Sequence, residues 1–112
     1  MAIITDDYFK DRHSKLKDYT IVLIKSTDKR KEAGADTIIL EHGKKNMELQ
    51  ADGVVSIVCP VFGDYDISGL YIFNVSVGEA KKIMDNDPAV SAGIFRFEVY
   101  PCKGFPGDSL AT

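Results

Sequence analysis

The run YTIVLIK, from Tyr19 to Lys25, is apolar on both of its alternating faces. A strand with one wet face alternates apolar with polar residues, so a strand of this kind needs cover on both sides. VVSIVC (Val54 to Cys59) and GLYIFNV (Gly69 to Val75) have the same character. Three such strands are a strong constraint on a chain of 112 residues. At this length a single domain exposes ~6,100 Å² when folded and buries roughly two-thirds of its extended surface. That is enough for one core, and not a generous one.

The segments between the strands read as helices. From about Gly34 to Asp52, the residues Ala35, Ile38, Ile39, His42, Asn46 and Leu49 recur at helical spacing along one face. Thr37, Ile38, Ile39 and Gly43 are poor helix formers, so packing has to hold this helix. Gly53 ends it. Pro60 to Ser68 is a loop containing Asp64 and Asp66. Ser76, with Glu79 three residues on, predicts a capping box opening a helix that turns Ala80, Ile83 and Met84 inward. Asp87-Pro88 restarts the chain as a short helical turn, with Asp87 as N-cap, and Gly93 closes it. The last strand, IFRFEVY, alternates: Phe95, Phe97 and Val99 on one face, Arg96, Glu98 and Tyr100 on the other. Pro101 is expected to end it.

The order strand, helix, strand, strand, helix, strand is the ferredoxin-like βαββαβ plan, an α+β fold with two helices on one face of a four-stranded antiparallel sheet. The domain spans residues 19–101, with an N-terminal extension over 1–18 and a C-terminal tail over 102–112. In the extension, Phe9 and Leu16 are spaced to share one face of a short helix that docks on the body or on a partner chain. Two helices cover only one side of the sheet, and an apolar second side marks an interaction surface. A homodimer joined through the sheet face, two-fold symmetric, is therefore expected.

Composition removes several function classes. With 45% apolar and 28% charged residues the chain is neither disordered nor collagenous. A net charge of −3, with Lys29-Arg30-Lys31 as the only basic triplet, points away from nucleic acid as a partner. That triplet reads as a solvated loop. No apolar run approaches the length of a membrane span. The opening MAIITDDYFKDRHS lacks the features of a signal peptide. Cys59 and Cys102 form no disulfide framework, so reduced thiols in the cytoplasm are expected.

His42 is the most informative residue for chemistry. It sits on the apolar stripe of the first core helix, one turn after Ile38 and Ile39. An imidazole shielded there suits acid–base work at neutral pH. The plainer alternative is a buried histidine bonded to a backbone carbonyl. Asp87 is the second candidate. Capping alone explains it, yet a cap uses one carboxylate oxygen and leaves the other free. Asp64 and Asp66 are further carboxylates, ordinary for a solvated loop. No Cys or His pair has metal-ligand spacing, and no phosphate loop or dinucleotide fingerprint is present, so neither a metal nor a cofactor is expected.

Together these residues resemble the YCII-related family of dimeric α/β-barrel proteins. The resemblance runs over about residues 19–101. It rests on the helical histidine in EHGKKNMELQADG, on GLYIFNVS with acidic Glu79 in the next helix, and above all on DPAVSAGIFRFEVYP, Asp87 to Pro101. The family is ferredoxin-like and pairs sheet to sheet. The resemblance implies a pocket between helices and sheet, with His42 and Asp87 as a catalytic acid–base pair. Asn46, Cys59, Pro60 and Asp64 are the substrate-binding candidates for a small-molecule ligand. Some relatives act on small cyclic or aromatic compounds, as dehydrochlorinases or, more distantly, muconolactone isomerases. Cys59 departs from the family, which has Gly before the proline.

Overall fold

The computed structural model describes all 112 residues. Helix α1 (Asp6–His13) precedes strand β1 (Lys17–Ser26), and a 3₁₀ turn (Asp28–Lys31) leads to helix α2 (Ala35–Ala51). Strands β2 (Val55–Pro60) and β3 (Ile67–Phe73) follow, then helices α3 (Val77–Asp85) and α4 (Pro88–Ser91), and strand β4 (Phe95–Gly104). The sheet order is β2-β3-β1-β4, with every neighbouring pair antiparallel. This is the ferredoxin-like α+β arrangement expected from the element order.

Register assigns the faces. Val22 pairs with Tyr71 on one side and Val99 on the other, so these side chains share a face with Thr20, Ile24 and Phe73. That face packs under the helices, and Val22, Ile24, Tyr71 and Phe73 are its buried centre, joined by Ala80, Met84 and Ala89 from the helices. Each large buried apolar side chain contributes roughly 1.5–3 kcal/mol. The opposite face carries Ile21, Leu23, Leu70, Ile72 and Ile57 in adjacent register, and no helix packs on it. On β4, Glu98 and Tyr100 share that open face, as alternation requires.

The helix ends follow their residues. At the end of α2, the Gly53 amide donates to the Gln50 carbonyl and the Val54 amide to that of Leu49, with Gly53 at φ 75°. This Schellman closure needs the left-handed conformation that glycine adopts freely. Ser76 Oγ accepts from the Glu79 amide, which is half of a capping box. The Glu79 carboxylate faces Lys82 instead of completing it.

Two expectations are corrected. Pro101 does not end the last strand, which runs on to Gly104 and pairs Cys102, Lys103 and Gly104 with Tyr19, Asp18 and Lys17. Because β4 lies at the sheet edge, a proline without an N–H is tolerated there. Leu16 does not share a helix face with Phe9, since α1 stops at His13 with Ser14 as its cap, and Phe9 stacks on His13 in the exposed surface. The tie from α1 to the rest of the chain is Arg12, which pairs with Asp108 at 2.9 Å and covers the Phe105 ring.

Candidate functional site

The site lies where α2, α4 and β3 meet. His42 and Asn46, one turn apart on α2, both face inward and are buried. Tyr71 reaches them from the middle of β3, on the helix-facing side set by its register. Asp87 enters from the start of α4, where Pro88 supplies a preset first helical residue.

The carboxylate serves two purposes at once. Asp87 Oδ2 accepts from the Ala89 and Val90 amides at 3.0 and 3.2 Å, capping α4. Oδ1 lies 2.8 Å from His42 Nδ1, and Oδ2 is equally near. The helix cap therefore fixes the aspartate that receives the histidine Nδ1–H. Both side chains are almost wholly enclosed, at 10% and 4% exposure, so this bond is made away from competing water.

The other ring nitrogen has its own partners. His42 Nε2 is 3.0 Å from the Tyr71 hydroxyl and 3.3 Å from Asn46 Nδ2. The Tyr71 hydroxyl donates to Asn46 Oδ1 at 2.8 Å. These contacts serve either protonation state. A neutral ring accepts at Nε2 from the Asn46 amide, and a protonated ring donates from Nε2 to the tyrosine oxygen. No buried side-chain polar atom is left without a partner. Burial pushes the Tyr71 phenol well above its ordinary range, and the nearby Asp87 charge adds to this against the Asn46 bond, so the phenol stays protonated as a donor. The Phe95 ring closes the site edge-on against His42, 5.0 Å between centroids.

A cleft of about 230 Å³ opens beside the ring and is lined by His42, Asn46 and Tyr71. Its other walls include Ile39, Val58, Phe62 and Phe95. An apolar cavity of ~150 Å³ already accommodates a benzene ring. Asp87 does not line the cleft and stands behind the histidine. No three His, Cys, Asp or Glu side chains lie close enough together to share a metal ion.

Of the residues singled out from sequence, the structure brings His42, Asp87 and Asn46 into one network and places Pro60 and Cys59 at the cleft wall. Cys59 pairs with Leu70, which puts its side chain on the open face of the sheet, so it borders the cleft through its backbone. Asp64 is exposed in its loop and is not brought to the cleft. Asp66 faces Lys25 and Arg96. Sequence reasoning missed two residues. Tyr71 reads as core, and it is; its hydroxyl becomes visible only when register sets it opposite His42. Arg30, read as part of a solvated loop, lines the cleft.

Fold and site together define an α+β protein of the ferredoxin-like type with a buried histidine–aspartate pair beside a small, mostly apolar cleft. Among solved structures, the chain is similar to the 5-chloro-2-hydroxyhydroquinone dehydrochlorinase (TftG) from Burkholderia phenoliruptrix AC1100, in complex with 2,5-dihydroxybenzoquinone. The TM-score is 0.51 at 17% identity, over 73% of this chain and 90% of that one. At this identity the likeness speaks for the fold. No family model matches the chain, and no curated protein does.

Proposed function

We propose that this chain is a cofactor-independent enzyme of the YCII-related type, catalysing isomerisation or elimination on a small cyclic organic molecule by acid–base chemistry. The observation that carries this reading is the 2.8 Å contact between His42 Nδ1 and Asp87, with the Nε2 end of the ring turned to the side of the cleft. Asp87 holds the Nδ1–H tautomer and stabilises the imidazolium that forms when Nε2 takes a proton. The Asn46 amide, with one N–H on Nε2, keeps a second N–H as a donor at the same wall, and Tyr71 holds Asn46 in place by donating to its Oδ1. A positioned acid–base group is worth ~10²–10⁴-fold in rate. The solved dehydrochlorinase, which shares the fold, acts on a chlorinated hydroquinone, as its name states, and this supports a ring compound as substrate.

The test is turnover of 5-chloro-2-hydroxyhydroquinone, followed by chloride release, and of muconolactone, followed by absorbance. The expected result is activity on at least one, reduced 10²-fold or more in His42→Ala with ligand affinity retained. A His42→Ala protein as active as the wild type sinks the proposal. One observation favours a second reading, a non-catalytic ligand-binding module: Nε2 already has partners in Tyr71 and Asn46. In that case the same substitution lowers affinity alone.

We further propose that the active form is a homodimer closed through the open sheet face, where half-buried Ile21, Leu23, Leu70, Ile72 and Ile57 align with no helix over them. A stable species at 12.4 kDa in dilute solution would remove this proposal. The free thiols of Cys59 and Cys102 fit the reducing cytoplasm, where we place the protein. No helix is long and apolar enough to cross a membrane.

A further inference from the structure

We propose that Arg30 selects the ligand of the cleft by charge, and that this ligand is a small ring compound bearing an anionic oxygen group, a carboxylate or an ionised enol. The inference rests on the reading of the cleft as a ring-binding acid–base site and adds the substrate class to it.

Three observations carry it. First, Arg30 is the only charged side chain among the residues lining the cleft, apart from whatever charge His42 takes up. The wall holds no Asp or Glu, although the chain has 17 of them against 14 basic residues. Second, Arg30 has no carboxylate partner. The other two arginines do: Arg12 pairs with Asp108 and Arg96 with Asp66. Third, the guanidinium is held in place without being used up. Its Nη1 donates to Ser26 Oγ at 3.0 Å and to Ser68 Oγ at 3.3 Å, and these two hydroxyls bond to each other. Its carbon stands 5.5 Å from the centroid of the Phe95 ring. Nε and Nη2 make no hydrogen bond within the chain, leaving donors for an incoming acceptor.

The turn that carries Arg30 is also anchored. Thr27 caps it, and the Thr27 hydroxyl lies within hydrogen-bond distance of the Gly93 and Ile94 carbonyls, 2.5 and 3.0 Å away, at the entry to β4. A guanidinium is matched in shape to a planar oxyanion, and a positioned one gives directional, charge-assisted bonds. The Phe95 ring lies between the two functional ends, with Arg30 over its face and His42 at its edge. A flat ring along the apolar wall can thus present its anionic oxygens to Arg30 and a carbon-bound proton to the histidine end.

The experiment is a titration of the whole protein by isothermal calorimetry and amide NMR with two probe pairs of matched shape. Benzoate against benzamide tests a carboxylate; 2,5-dihydroxybenzoquinone against its neutral isostere 2,5-diaminobenzoquinone tests an ionised enol. In at least one pair the anion is expected to bind ~10-fold or more tightly than its neutral counterpart, shifting the Asn46 and Tyr71 amides. Arg30→Gln should erase that preference and Arg30→Lys keep part of it, with neutral-probe affinity unchanged in both. Equal affinity within both pairs, or a preference that survives Arg30→Gln, overturns the role of Arg30 and leaves the ring site standing. If none of the four probes shifts the Asn46 and Tyr71 amides, the underlying reading of the cleft falls as well.

Discussion

Asp87 shows how a single residue ties stability to chemistry. Its carboxylate caps α4 and receives the His42 Nδ1–H in the same geometry. Asp87→Ala removes a cap worth ~1 kcal/mol and strands a buried donor at a cost of ~1–3 kcal/mol. A loss of about 2–4 kcal/mol in urea unfolding is therefore expected. A change below ~0.5 kcal/mol would mean that water already competes for this carboxylate. Tyr71 gives a pH test with a definite sign. Its phenol ionises near 10 in the unfolded chain and well above that when buried. Above pH 10 the unfolded chain therefore binds fewer protons than the folded one, and stability falls as pH rises. Tyr71→Phe is expected to cost about 1–2 kcal/mol at pH 8, with the gap to wild type narrowing by pH 10.5. An unchanged gap would show that the phenol is not shielded. Of this network, His42, Asp87 and Asn46 were legible in the sequence, because helical spacing and the Asp-Pro signature act over a few residues. Tyr71 and Arg30 were not. Their roles depend on strand register and on a turn folding over a cleft, which no local pattern encodes.

At the scale of elements, the glycine closures set where helices stop. Gly53 adopts φ 75° and leaves open space where a Cβ would stand. Gly53→Ala thus meets only backbone strain, for which ~1–2 kcal/mol is expected in thermal or urea unfolding. A neutral result would show that α2 can end without its Schellman closure. The strands, core helices and Asp-Pro turn were legible because hydrophobic period and capping residues agreed with one another. The elements nearest the two chain ends were not. Pro101 reads as a stop in isolation, and only its place on an edge strand lets β4 continue to Gly104. The α1 helix has a Thr5 cap, Asp6 and Asp7 in its first turn and Lys10, Arg12 and His13 in its last, but it buries nothing, so no apolar period marked its length.

For the whole molecule, the exposed surface is large for the chain's length, and the N-terminal segment and α1, with Ile3, Tyr8 and Phe9 exposed, add to it. The chain exposes 7861 Å², against ~6,100 Å² expected for a compact monomer of this mass. It measures 56 × 30 × 22 Å. If the open sheet face is closed by a second copy, Ile72→Glu should split the dimer to single chains in analytical ultracentrifugation while helical content holds. A variant that sediments as the wild type would place any interface elsewhere. The position of β1 has a consequence of another kind. It lies inside the sheet, yet one of its neighbours, β4, is joined to it about 70–87 residues further along the chain, as in Ser26 with Phe95 and Lys17 with Gly104. The loop between them must close before that ladder forms, so folding should be slower than for a helical bundle of equal length. Until β4 arrives, one side of β1 is an unpaired, strongly apolar edge. That interval is when this chain is most exposed to wrong pairing and aggregation.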